Sequence, residues 1–115
     1  MTTGLPFTPL QASTTAGAGV KVTANNTPTS VPGTVTNTSN RQANNMMVTN
    51  TGTVMVFVRL SAEATPVATA ADIPIPPGTF RILQNPVPAG ACGVAALSIT
   101  TTAADVYFTP GEGGT

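Results

Sequence analysis

Histidine and tryptophan are absent from this chain, and cysteine and tyrosine occur once each, as Cys92 and Tyr107. Without histidine the commonest general base and the commonest transition-metal ligand are both missing, which removes most hydrolase mechanisms. A zinc site needs three or four clustered Cys, His or carboxylate ligands, and one cysteine does not provide it. Cys92 has no partner for an internal disulfide. Its Ala-Gly-Ala-Cys-Gly-Val setting, with no Lys or Arg nearby in sequence to lower its pKa, reads as a small apolar strand residue.

Charge is almost as scarce. Only 7% of residues are charged, where an ordinary domain has about 25%. Lys21, Arg41, Arg59 and Arg81 balance Glu63, Asp72, Asp105 and Glu112, so no net repulsion opposes self-association. No Lys/Arg cluster offers counterion release, so no nucleic-acid partner is expected. A carboxylate pair for glycoside hydrolysis would have to come from those four acids, and none stands in a motif; solvated strand-end carboxylates are the better reading. We therefore predict no catalytic residue, no metal ligand and no cofactor, and a chain that is not an enzyme.

Long apolar runs are missing as well. The longest, Val54 to Val58, falls far short of the ~20 residues of a membrane-spanning helix and reads as a buried strand, so no membrane partner is expected. Met1-Thr2-Thr3-Gly4-Leu5-Pro6 has no basic stretch followed by an apolar one, so we expect synthesis in a cytoplasm without export. The Asn-x-Ser/Thr matches at Asn25 and Asn37 are then products of a Thr/Asn-rich composition.

What the chain does have is turn formers and short alternating segments. Eleven glycines and eleven prolines interrupt a length of 115 residues, and no window holds a helical period of apolar residues over three turns. Period-two alternation predicts strands at Gly19–Thr23, Gly33–Thr36, Thr79–Leu83, Gly93–Thr101 and Asp105–Thr109. Met46–Thr49 and Thr53–Leu60, joined by Asn50-Thr51-Gly52, read as a β-hairpin. Its second strand is apolar on both faces and therefore central. Ile73-Pro74-Ile75 is an edge strand, because proline donates nothing to a ladder, and Pro77-Gly78 is a turn. The four phenylalanines, Phe7, Phe57, Phe80 and Phe108, read as core, with Phe7 also a possible anchor for the N-terminal segment.

These strands predict one all-β domain, a small antiparallel β-sandwich or barrel of jelly-roll-like type. Its expected parts are an extended N-terminal arm over 1–17, a sandwich over 18–110 and a flexible tail over 111–115, the last lacking the Lys and helix of a phosphate-cradling loop. Alternate threonines recur at Thr34-Val35-Thr36-Asn37-Thr38 and Thr49-Asn50-Thr51-Gly52-Thr53. Two such groups are too few for an ice-binding solenoid, and plain β-propensity accounts for them.

Three segments in order carry a resemblance: Val48-Thr49-Asn50-Thr51-Gly52-Thr53-Val54-Met55-Val56-Phe57-Val58-Arg59, then Ile73-Pro74-Ile75-Pro76-Pro77-Gly78, then Val106-Tyr107-Phe108-Thr109-Pro110-Gly111-Glu112-Gly113. Over roughly residues 46–113 the chain resembles small virion proteins of tailed bacteriophages, of the capsid decoration (cement) or head structural type. The resemblance implies a non-catalytic virion component on the capsid exterior, with the major capsid protein as partner and a homotrimer as its own assembly. A tail or neck component is the nearest alternative. A carbohydrate-binding β-sandwich is a further one, disfavoured because the chain has one tyrosine and no tryptophan for a stacking platform.

Overall fold

A computed structural model of the chain describes residues 7–9, 19–25, 30–37 and 42–112. Among these residues nine strands form, β1 (Thr8–Pro9), β2 (Val20–Ala24), β3 (Val31–Thr36), β4 (Asn45–Asn50), β5 (Val56–Ser61), β6 (Ile73–Ile75), β7 (Phe80–Gln84), β8 (Ala91–Ser98) and β9 (Ala104–Glu112), and no helix. Every pairing is antiparallel. One sheet runs β2-β9-β4-β7, with the two-residue β1 in line with β2 along the same side of β9; the second runs β3-β8-β5-β6. Each sheet is four strands wide, and their inner faces pack on each other, so the chain is a sandwich and not a barrel.

The order follows from a single rolled ribbon. The pairs β2·β9, β3·β8, β4·β7 and β5·β6 are successive rungs of a long antiparallel ribbon that doubles back between β5 and β6. Rolling it lays alternate rungs in alternate sheets and adds the contacts β9·β4 and β8·β5. This is the jelly-roll arrangement.

The same roll corrects the expected hairpin at residues 46–60. β4 lies in the first sheet and β5 in the second, so residues 51–55 are a crossover, and Val54 and Met55 belong to it and not to the strand. Asn-x-Gly turn chemistry suits a hairpin locally, but both neighbours of β4 are distant in sequence, β7 on one side and β9 on the other. β5 is central as expected, between β8 and β6, and the proline-bearing β6 is an edge. Gly78 takes the left-handed conformation, φ 70°, that the Pro77-Gly78 turn requires.

Strand β9 runs through Gly111 and Glu112, two residues into the expected tail, and pairs there with β1 inside the expected arm. The rest of the arm, residues 1–6 and 10–17, and residues 113–115 lie outside the described residues. Pro110 fits within β9 because its register place falls between the stretches facing β2, up to Phe108, and β1, from Gly111, where no ladder bond is lost on that side.

Alternation sorts the core. Met46, Val48, Val106, Phe108 and Val22 from the first sheet meet Val56, Val58, Ile75, Val94 and Val35 from the second, all buried. Only one of the four phenylalanines is fully buried, Phe108. Phe80 is 58% exposed, and Phe57 is half-buried on the outer face of the second sheet beside Leu97 and Pro74. Phe80 falls outside the core because its register partner is Thr49, on the face of β4 opposite Val48. Phe108→Ala should lower the unfolding free energy by about 3–5 kcal/mol. Phe80→Ala should change it by about 0.5 kcal/mol or less. Urea unfolding of both variants checks the assignment, and equal losses would refute it.

Candidate functional site

The outer faces of the two sheets differ. On the second sheet, Gly93 and Ala95 of β8 point away from the core and are nevertheless buried. The cover is the segment 62–72 between β5 and β6. The Glu63 carbonyl sits over Gly93, Pro66 packs beside it, and the Ala68 N–H donates to Ser30 Oγ (2.9 Å), one residue before β3. Pro66 and Ala68 are themselves buried. The small side chains of β8 are the condition for this cover.

The far end of that segment is pinned by Asp72. Its Oδ2 accepts from the Thr69 N–H (2.7 Å) and hydroxyl (3.2 Å), and its Oδ1 accepts from Arg59 Nε (3.0 Å). Burial alone would raise the Asp72 pKa, but the Thr69 N–H, the Arg59 hydrogen bond and charge, and the Thr69 hydroxyl together hold it below the usual carboxylate value. A folded pKa below the unfolded one contributes stability above the unfolded pKa, and that contribution is lost as pH falls through the folded pKa. Arg59 is 45% exposed, so the pair contributes on the order of 1 kcal/mol or less. Asp72→Asn should cost that much at neutral pH and nothing once the parent carboxyl is protonated. Thermal melts across the acid range test it, and a pH-independent difference would reject the pairing as its cause.

No described segment covers the outer face of the first sheet. Lys21, Tyr107, Thr49 and Phe80 form one row across its four strands, with Thr109, Met47 and Ile82 in the next row. Tyr107 is 41% exposed and Phe80 58%. Lys21 and Asp105 are the charged side chains of this face among the described residues, and Asp105 accepts from the Thr23 hydroxyl (2.8 Å). The result is a sheet face of aromatic, aliphatic and threonine side chains with little charge. That is the composition of a surface that sheds water cheaply on contact with another protein.

The four acids singled out from the sequence are dispersed. Glu63 is exposed on the cover segment, Asp72 is in its ion pair, and Asp105 and Glu112 lie near opposite ends of β9, roughly 23 Å apart at strand rise. Among the described residues no group of three or more His, Cys, Asp or Glu is placed to hold a metal ion. Cys92 is 1% exposed, its Sγ 3.4 Å from the Gly93 carbonyl, and burial pushes its thiol pKa up. The threonine groups are split as well, Thr34 and Thr36 on the outer face of the second sheet and Thr49 on that of the first; Thr38 lies outside the described residues.

The open face was partly legible beforehand. Val106 and Phe108 point inward, so Tyr107 between them must point outward. That one sheet carries its own cover and the other does not depends on which residues face outward, and so on strand pairings distant in sequence. Comparison of the chain with family models, curated proteins and solved structures returns no match.

Proposed function

We propose that this chain is a virion structural protein of the capsid decoration type, which binds the outside of a shell of major capsid protein through the open face of its first sheet and stabilises the shell without catalysis. The observation that carries the reading is the asymmetry of the two outer faces: Phe80 and Tyr107 stand exposed on a charge-poor sheet that nothing described covers, while the opposite sheet is closed by residues 62–72. A near-neutral chain with four charges of each sign suits a crowded shell. The rolled-ribbon fold recurs in viral coat domains and in lectins, which is analogy and favours neither by itself. The resemblance over residues 46–113 favours the virion. The homotrimer rests on that resemblance alone, and the edge of β7, paired with β4 alone among the described residues, favours a two-fold pair of chains in its place.

Copy number in purified particles, by quantitative mass spectrometry against the major capsid protein, is the test. A ratio near one, or a simple fraction of it, is the expected result. A few copies per hundred would move the protein to the tail or neck, where cyclic symmetry sets the number, and absence from particles would overturn the reading. Tyr107→Asp, which charges the open face without touching the core, should lower occupancy on the shell while leaving the melting temperature within a few degrees. The exposed Tyr107 and Phe80 also keep a carbohydrate ligand in view as a second reading, and loss of glycan binding in the same variant would mark it.

A further inference from the structure

The sandwich is closed on one side and open on the other. On the closed side β2 and β3 touch, and a Cβ on Gly33 would meet Val22 at 2.9 Å. On the open side, between β7 and the β5–β6 pair, lies a depression of about 470 Å³ lined by Leu60, Ile73, Leu83, Gln84 and Pro86. Leu60, Ile73 and Leu83 face the core but are left half-buried there. β7 borders this mouth, and among the described residues it pairs with β4 alone.

The direction of its free amides can be derived. Asn50 N–H donates to the Thr79 carbonyl and Asn85 N–H to the Asn44 carbonyl, both at 2.9 Å. Hydrogen-bonded pairs alternate along an antiparallel ladder, so Met46 with Leu83 and Val48 with Arg81 are the bonded pairs between these two points. The main-chain groups of Arg81 and Leu83 therefore face β4, and those of Phe80, Ile82 and Gln84 face outward. An edge with three outward residues, apolar side chains and one charge is a template for another strand.

We propose that a second copy of this chain docks on the edge, the two β7 strands pairing antiparallel about a two-fold axis at Ile82. Outward groups bond only to outward groups, so residues 80, 82 and 84 of one copy must meet the same set in the other. Centring on Ile82 places Phe80 opposite Gln84 of the partner subunit and Ile82 opposite Ile82 of the partner subunit, which satisfies all three outward residues on each side. Shifting the centre to position 81 sets the two Arg81 side chains directly opposite each other, which like charges disfavour. Shifting it to 83 leaves Phe80 unpaired. The centred register instead puts Arg81 against Leu83 of the partner subunit. It joins the two first sheets into one and brings the second copy over the apolar mouth at Leu83 and Pro86. The chain carries no net charge to oppose the contact. The pairing itself is made by the strand edge, and it joins the open outer faces of the two copies, on which Phe80 and Ile82 lie.

Sedimentation velocity on the intact chain across about 1–100 µM should show a concentration-dependent species of twice the 11.5 kDa chain mass. Ile82→Lys places two ammonium groups face to face at the axis and should leave only monomer, with unchanged far-ultraviolet circular dichroism. Pro32→Lys, on the opposite side of the sandwich, should keep the dimer. Because Ile82→Lys is subject to misfolding, Ile82→Cys supplies a second readout. Mild oxidation should cross-link it as a dimer, since hydrogen-bonded partners sit about 5.5 Å apart, whereas Phe80→Cys, opposite Gln84, should not cross-link. A parent chain that stays monomeric throughout, a trimer mass, or a dimer that survives Ile82→Lys would each overturn the proposal.

Discussion

Gly93→Ala should cost about 3 kcal/mol, the upper part of the range for overpacking, although it adds a single methyl group to a strand residue. A Cβ at position 93 would collide with the backbone carbonyl of Glu63 and come within 2.9 Å of Pro66 Cδ. A flexible side chain could yield to such a contact, but a carbonyl fixed in the cover segment cannot, so the segment must lift. Lifting it removes the Ala68 to Ser30 hydrogen bond and exposes Ala95, now fully buried, together with Pro66 and Ala68. Detachment of residues 62–68 also limits the loss, because the two sheets and the core between them can survive it. Urea unfolding should report the drop, and hydrogen exchange should show the Ala68 amide losing protection before any amide of β4 or β9. A loss below about 0.5 kcal/mol, the level of an ordinary surface change, would mean that the segment does not lie on β8.

The cover segment also marks where sequence reasoning stops. The strands were legible because each face has its own chemistry: Val20-Lys21-Val22-Thr23 and Val106-Tyr107-Phe108 alternate, and prolines confine Ile73–Ile75 to an edge. Pairing was not. Asn50-Thr51-Gly52 has the composition of a hairpin turn, yet it opens a crossover, because the partner of β4 is chosen by the whole ribbon and not by its nearest neighbour. The run Ala-Cys-Gly-Val-Ala-Ala in β8 does carry a readable signal. Small residues on the face opposite Val94 mean that something packs closely on it, but that reading requires knowing first that Gly93 and Ala95 face outward. Phe80 was misread for a related reason. Its large apolar area suggested burial, while its register opposite Thr49 puts it on the open face. Phe57 and Phe80, both expected in the core, fall on the outer faces, where coverage depends on contacts distant in sequence or on another molecule.

Asn50 is the residue at which that crossover is held, and Asn50→Ala should destabilise the fold by about 3–5 kcal/mol, the cost of several buried hydrogen-bonding groups left unpaired. Its side chain is fully buried. Nδ2 donates to the Val54 carbonyl (2.8 Å) and to the Ile75 carbonyl (2.9 Å), and Oδ1 accepts from the Gly52 N–H (2.9 Å). Its main chain donates to the Thr79 carbonyl (2.9 Å) and accepts from the Gly78 N–H (3.0 Å). One residue thus ties the end of β4 in the first sheet to β6 in the second, and fastens both the crossover and the Pro77-Gly78 turn. Alanine keeps the two main-chain bonds and abandons the three made by the side chain. Asn50→Asp separates donor from acceptor. A carboxylate accepts from Gly52 but cannot donate, and it faces two carbonyl oxygens in a buried site, which raises its pKa in the folded state. Folding then favours the protonated form, so this variant should be less stable at neutral pH than in mild acid, opposite to the acid sensitivity expected from Asp72. Asn44→Ala, at an exposed side chain one residue before β4, is the control and should stay within about 0.5 kcal/mol of the parent. Denaturant unfolding of the three variants at neutral pH and in mild acid decides the matter. If Asn50→Ala lost less than about 1 kcal/mol, the three side-chain bonds would be replaced by water, and the crossover would be held by the ribbon alone.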